Sequence, residues 1–309
     1  SPRMSNVARN ILIVYLTLSF ICGVCYWFSG MSLFDAINHA MTTLSTGGFS
    51  TRDASMSAFS PQAQWIASGF MFLGGLPFIL YVQSIRRREG LIFRDAQVRG
   101  FFWLTISVSL LMSIWLWNAK VFDFEDALRI TTFNVISVLT TTGFGLTDFG
   151  AWSYVTTILF IFLMLAGACS GSTAGGMKLF RIQIAGALFQ KQARQLMHPS
   201  GVFPQKYNGR PVNDAIIRSI VAFVLSYMTV IILSSILLGM LNMTPLEAIS
   251  GSVTAVGNVG PGLGAKIGPL GNFTGIPDAA KWVLSIDMML GRLEILTVAV
   301  LLFPSFWKD

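Results

Sequence analysis

Long apolar runs alternate along the chain with short mixed ones, and the alternation recurs. Residues 11–28 are continuously apolar, long enough for a helix to cross a bilayer, which takes about 20 residues. Residues 34–44 are shorter and carry Asp35, Asn38 and His39. About 11 residues cannot span, so this stretch predicts a half-membrane helix. Residues 65–85 span again, with a kink or local opening expected near Gly74-Gly75-Leu76-Pro77. The pattern then restarts. Residues 101–117 span, 124–139 form a short helix, and 152–168 are apolar until Cys169-Ser170-Gly171-Ser172-Thr173-Ala174-Gly175-Gly176 breaks them. A segment over 179–196 follows, with Lys178, Arg181, Lys191 and Arg194. The third round is a span at 216–241, a short helix at 245–255 and a last span at 279–306. The unit is span, half-helix, glycine loop, span, with a period of roughly 90 to 120 residues, longer than soluble solenoid repeats. It divides the chain at 1–99, 100–211 and 212–309, and predicts an all-α integral membrane fold.

Each half-helix runs into a loop of small residues. The loops are Leu44-Ser45-Thr46-Gly47-Gly48-Phe49, Leu139-Thr140-Thr141-Thr142-Gly143-Phe144-Gly145 and Val256-Gly257-Asn258-Val259-Gly260-Pro261. Asp35-Ala36-Ile37 starts 13 positions before Gly48, and Glu247-Ala248-Ile249 starts 13 before Gly260. Asp126-Ala127-Leu128 starts 17 before Gly143, an excess of about one helical turn. Acid-Ala-aliphatic starts at near-equal spacing from a glycine argue for repetition. An acid in the first turn complements the helix dipole; direct ion ligation is the alternative role.

Non-helical backbone at membrane depth is tolerated only where it lines water or is buried in protein. Three such loops therefore suggest one shared pore. Small hydroxyl residues followed by glycine leave the backbone free to present carbonyl oxygens to an ion in place of its water shell. The carbonyls of Thr46-Gly47, Thr141-Thr142 and Asn258-Val259, with Ser45 and the glycines Gly48, Gly143 and Gly260, are the candidate cation ligands. Hard oxygen ligands without a carboxylate cage suit a dehydrated monovalent cation that must leave again. The Asn258-Val259-Gly260-Pro261 loop departs furthest from the others, so a chemically asymmetric filter is expected.

Composition agrees with a membrane protein. Apolar residues make up 53% of the 309 and charged residues 11%, against about 25% charged in soluble domains. The mean hydropathy is +0.66. The net charge of +7 belongs to loops rather than to nucleic-acid binding. Arg3, Arg9, the five arginines from 86 to 99, the seven basic residues from Lys178 to Arg218, and Lys308 fall on one side, 15 of 21 in all. The positive-inside rule makes that side cytoplasmic, and the glycine loops then open outward. Asp53, Asp123, Glu125, Asp126 and Asp148 flank them and would attract cations.

Other motifs carry less. Cys22-x-x-Cys25 has redox spacing but lies inside a predicted span. His39 and His198 lack companion ligands for a metal. Four residues separate Gly171 from Gly176, near a phosphate-loop pattern, but Met177 stands where lysine is required and no strand precedes it. Arg292 falls near the middle of the last span, where a charge is expensive and normally faces a cavity or a partner. Glu294 or loop carbonyls are its simplest partners, although Glu294, two positions on, faces a different side of a helix.

Thr46-Gly47-Gly48-Phe49-Ser50-Thr51, Thr141-Thr142-Gly143-Phe144, Ser170-Gly171-Ser172-Thr173-Ala174-Gly175-Gly176-Met177-Lys178 and Gly291-Arg292-Leu293-Glu294 resemble the bacterial TrkH/TrkG/KtrB potassium translocation proteins over the whole chain, TrkH above all. The resemblance implies potassium as the transported ion, no tightly bound cofactor and no enzymatic activity. It implies a multi-pass protein of the bacterial inner membrane, in contact with lipid, its filter facing outward. It makes Gly171, Ser172, Thr173, Gly175 and Gly176 an intramembrane gate beneath the filter, with Arg292 as an electrostatic barrier beside it. It also implies a homodimer and a cytoplasmic nucleotide-binding regulatory subunit of the TrkA or KtrA kind on the basic face. Members carry four repeats around one pseudo-four-fold pore. The three here correspond to the second, third and fourth, and the first is expected before Ser1. Glycine at the filter positions goes with potassium. Serine in the first repeat goes with sodium, which keeps a sodium-permeable or sodium-coupled member as the alternative.

Overall fold

The N-terminal apolar run folds as helix α1, Pro2–Phe28, in the computed structural model of the chain, which describes residues 2–87, 90–201, 203–301 and 303–307. Arg88 and Lys308 of the basic set lie outside the described residues. The half-helix α2, Leu33–Leu44, starts on an N-cap Ser32 whose hydroxyl accepts from the Asp35 N–H. It packs on α1, with Ala36, Ala40 and Leu44 buried. The next span is divided into α3, Pro61–Gly74, and α4, Phe78–Arg87. These meet at 81°, a sharper break than the expected kink. Pro77 cannot continue α3, and Gly74-Gly75 leave no side chain to hold the turn.

Helix α5, Leu91–Arg94, leads into α6, Ala96–Asn118. The second half-helix, α7 at Phe124–Leu139, lies against α6; its first turn is exposed and its second half, from Phe133 to Leu139, is buried. Helix α8, Tyr154–Ala166, begins in a Ser153/Thr156 capping box and stops at Gly167. Helix α9, Leu179–Met197, resumes after the interruption. Sequence patterning missed the next element, a two-stranded hairpin of β1, Lys206–Tyr207, and β2, Arg210–Pro211. Its signal was the Asn208-Gly209 pair, whose positive φ values of 48° and 75° suit a two-residue hairpin turn.

Helix α10, Asp214–Met240, spans; α11, Pro245–Gly257, is the third half-helix, begun by a Thr244/Glu247 capping box. The last apolar run is not one helix. It divides into α12, Asp278–Arg292, and α13, Ile295–Val300, at Glu294 with φ 57°. By length and apolarity α1, α6 and α10 can each cross a membrane, and the bent α3–α4 pair counts as a fourth candidate. The largest core cluster joins α7, α8, α10 and α11 around Leu139, Phe160, Tyr227 and Val256. The interior is therefore built around the half-helices and the loops that follow them.

Candidate functional site

The three glycine loops share one backbone design. At the end of α2 the N–H groups of Gly47 and Gly48 turn back to the Thr42 carbonyl, at 2.8 and 3.3 Å. At the end of α7 those of Thr142 and Gly143 turn back to Ser137, at 2.9 and 3.2 Å, and after α11 that of Val259 turns back to Thr254, at 2.9 Å. The donors are thus spent on the half-helix. Left-handed φ values alternate with ordinary ones: Thr46 50° and Gly48 66°, Thr141 55° and Gly143 79°, Asn258 55° and Gly260 110°. Alternating handedness turns successive carbonyls to one side, where a strand would send them to opposite sides. No donor among the described residues reaches the carbonyl oxygens of Thr46, Gly47, Thr141, Thr142, Asn258 or Val259. Holding a β-branched Thr at left-handed φ costs about 1–2 kcal/mol, strain of a kind that concentrates at functional sites.

The loops also touch. A Cβ on Gly48 would collide with the Thr142 carbonyl oxygen, and a Cβ on Gly143 with the Val259 carbonyl oxygen. Each glycine is therefore needed for the approach of the next loop as well as for its own φ. Among the described residues nothing lies within 4 Å of a Cβ placed on Gly260. Ser45 caps α2 and is half-buried.

Sequence reasoning overlooked a supporting hydroxyl six positions before each glycine. Thr42 Oγ1 donates to the Phe49 carbonyl at 2.8 Å, and Ser137 Oγ to the Phe144 carbonyl at 2.9 Å. Both bonds tie down the carbonyl just beyond the glycine. Thr254 holds the same place before the third glycine, but its buried hydroxyl has no partner among the described residues. Asymmetry between the loops is thus visible in this bonding. The fixed spacing of a Thr or Ser before the glycine was the available signal.

The acids at the half-helix starts act as fasteners. Asp35 is buried and takes hydrogen bonds from Thr51 Oγ1 at 2.5 Å and Ser32 Oγ at 2.8 Å, and an ion pair from Arg52 at 3.0 Å. The Thr51 and Ser32 hydroxyls and Arg52 hold its carboxyl down to about 2. Glu247 accepts from Thr244 Oγ1 at 3.0 Å and from the Lys266 N–H at 3.3 Å. Each acid thus pins the strap that returns from its loop. Asp126 instead pairs with Arg129 at the surface. His39 is no metal ligand here: its ring joins the Asp35 carbonyl at 2.8 Å to Ser50 Oγ at 2.9 Å, and its edge meets the Phe59 ring, centroids 4.8 Å apart. No His/Cys/Asp/Glu group able to hold a metal occurs among the described residues.

The break after α8 lies against the inner ends of these loops. Gly167, Gly171 and Gly176 take φ values of 66°, 81° and 74°. Thr173 Oγ1 donates to the Leu44 carbonyl at 3.0 Å and the Gly74 carbonyl at 3.2 Å. The Gly175 N–H donates to Thr141 Oγ1 at 2.7 Å, and a Cβ on Gly175 would sit 2.5 Å from the Gly257 carbonyl oxygen. One short segment therefore meets the ends of α2, α7 and α11. Ser172 holds its turn through the Cys169 carbonyl at 2.7 Å.

Arg292 does not stand in the middle of a helix. The break at Leu293-Glu294 places it in the last turn of α12, where a cation complements the dipole. Its Nη1 donates to the Thr173 carbonyl at 3.2 Å. Glu294 pairs with Arg181 at 3.1 Å, not with Arg292. Thr173, Gly175, Gly176, Lys178, Arg181, Arg292 and Glu294 line a cavity of about 210 Å³.

Three adjoining loops with unpaired carbonyls, met by the segment from Gly171 to Gly176, are set among apolar helices long enough to cross a membrane, the mark of an integral membrane protein. The family model described as TrkH, cation transport protein, matches residues 1–308; the chain belongs to this family. It is 45% identical over 310 residues to the Trk system potassium uptake protein TrkI of Halomonas elongata, covering all of this chain and 63% of that protein. It is 31% identical over 311 residues to TrkH of Escherichia coli K12, covering 64% of it. The crystal structure of the potassium transporter TrkH from Vibrio parahaemolyticus superposes with a TM-score of 0.93 at 32% identity, over 99% of this chain and 66% of that one. The chain spans less than two thirds of the length of these relatives.

Proposed function

We propose that the chain supplies three walls of a potassium-selective filter and the gate beneath it, in a protein that moves potassium across the bacterial inner membrane. The carrying observation is the set of donor-free carbonyls in three touching loops. An ion entering between them meets oxygen without displacing an internal hydrogen bond, the condition for shedding water cheaply. The relatives named as potassium uptake proteins support potassium as that ion. Segments 1–99, 100–211 and 212–309 are the second to fourth repeats of a pseudo-four-fold ring that opens outward. The segment from Gly171 to Gly176 is the gate: it leans on Thr141 and on the end of α11, and Arg292 latches it through Thr173 while placing positive charge on the inner path. The basic loops face the cytoplasm and dock a nucleotide-binding regulatory subunit of the TrkA kind, and the whole protein works as a homodimer. Rubidium uptake into proteoliposomes containing the full-length protein, with sodium and lithium as competitors, tests this reading. Rubidium should enter and sodium compete poorly. Equal competition would favour a sodium-permeable member, and no cation flux would refute the proposal.

A further inference from the structure

A second cavity lies on the basic side, away from the loops. It measures about 680 Å³ and opens between the end of α4, α5, the β1–β2 hairpin, α9 and the start of α10. Arg94 and Arg210 line it, together with Leu80, Leu91, Phe180 and Ile216. The hairpin is fastened as a fixed wall. Asn208 Nδ2 donates to Asp95 Oδ2 at 2.8 Å, Asn208 Oδ1 accepts from the Ala96 N–H at 2.8 Å, and Tyr207 Oη donates to Gln183 at 2.7 Å. Arg210 pairs in register with Tyr207 and is held at that wall.

The charge in this cavity is not balanced. Neither arginine forms an ion pair among the described residues. Asp95, the carboxylate in the lining, is already engaged. Its Oδ1 takes the Gln97 and Val98 N–H groups at 2.8 and 3.3 Å, and its Oδ2 takes Asn208.

An apolar groove of about 140 Å³ continues from the same place. It runs between α9 and α10, and Ile184 lines both spaces. Its floor climbs α10 through Ile217, Val221 and Leu225, about 12 Å along a helix axis. Helix α10 is long and apolar enough to cross the bilayer, so the groove leads from a cationic cup toward the hydrocarbon region. A cationic cup joined to an apolar groove is the shape of an amphiphile with an anionic head.

We propose that this cavity and groove bind one anionic phospholipid of the leaflet on the basic side. Its phosphate lies between Arg94 and Arg210, and one acyl chain lies along the groove between α9 and α10. Basic pockets between membrane helices on the cytoplasmic side recognise headgroups in this way. The site is independent of the ion filter, and its readout is lipid retention rather than flux.

The test is native mass spectrometry of the delipidated full-length protein, titrated with phosphatidylglycerol or phosphatidylcholine. One phosphatidylglycerol per chain should be retained, with a preference of roughly tenfold or more over phosphatidylcholine. Arg94→Gln with Arg210→Gln should abolish the preference, while Arg194→Gln, on α9 outside the cavity, should keep it. Val221→Trp, which fills the groove from a half-exposed position, should lower retention of both lipids. Equal retention of the two lipids, or an unchanged preference in the double variant, overturns the proposal. So does displacement of the lipid by millimolar inorganic phosphate with Val221→Trp silent, which would mark a free-phosphate site. Loss of a soluble nucleotide-binding partner in the double variant, with lipid retention intact, would mark a protein-docking face instead and overturn it equally.

Discussion

The Cα of Gly48 lies against the carbonyl oxygen of Thr142, with no room for a Cβ between them. Gly143 stands in the same relation to Val259. Substitution at either glycine should therefore disturb the neighbouring loop as well as its own. Gly143→Ser must push back the third loop and Gly48→Ala the second, and both must hold a left-handed φ. Each should reduce rubidium-over-sodium selectivity in proteoliposome flux. Equal selectivity in Gly143→Ser and the parent would show that this loop is not the filter.

The hydroxyl six positions before the glycine offers a comparison within one molecule. Ser137 Oγ holds the buried Phe144 carbonyl. Ser137→Ala leaves that acceptor unsatisfied, at a cost of about 1–3 kcal/mol, and should lower both thermal stability and selectivity. Thr254→Val removes a hydroxyl that already lacks a partner and should be neutral or stabilising. Thermal melts of the two variants check the contrast; equal losses would contradict the assigned bonding.

Much of this architecture was legible in the chain, for identifiable reasons. The spans and half-helices follow from length and apolarity, and Asp35 and Glu247 announced their helices because a first-turn acid satisfies both dipole and cap. Their second task, pinning Thr51 and Lys266, depends on the return of a distant strap and has no local signature. The break after Arg292 was hidden for a similar reason. Leu293-Glu294 has no Gly or Pro, and the left-handed turn at Glu294 accompanies a pairing with Arg181, 113 positions away. The hairpin at 206–211 was the opposite case: Asn-Gly is a strong local signal, overlooked because the surrounding loop is basic and polar.

The proposed filter and gate share one hydrogen bond, from the Gly175 N–H to Thr141 Oγ1 at 2.7 Å. Thr141→Val keeps the side-chain shape but removes the acceptor, leaving a buried N–H at a cost of about 1–3 kcal/mol. The gate segment should then leave its place more readily. Arg292→Ala removes both the Thr173 contact and the positive charge from the inner path. Rubidium flux in the full-length protein should rise in both variants, and more in Arg292→Ala because two restraints are lost together. Unchanged flux in Arg292→Ala would count against the barrier.

Acid should loosen the outer strap in two separable steps. Asp35 is held down to about 2, chiefly by the Thr51 and Ser32 hydroxyls and then Arg52, against about 3.9 in an unfolded chain. A depressed carboxyl stabilises the fold fully above its ordinary value, and that stability is lost as pH falls from about 4 toward about 2. Burial lowers the His39 imidazole below its ordinary 6.5. The unfolded chain then takes up the proton first, so stability is full above about 6.5 and declines below it. Arg52, which faces the same network, opposes the charged ring. Asp35 is ionised throughout pH 7.5 to 5, so the strap's own contribution to the slope over that range comes from His39. Relative to the parent, His39→Gln should lose less melting temperature as pH falls over that range. Asp35→Asn should lower it by an amount reflecting about 1–3 kcal/mol and leave the slope intact. A His39→Gln protein with the parent's pH dependence between 7.5 and 5 would place the strap's titrating group elsewhere.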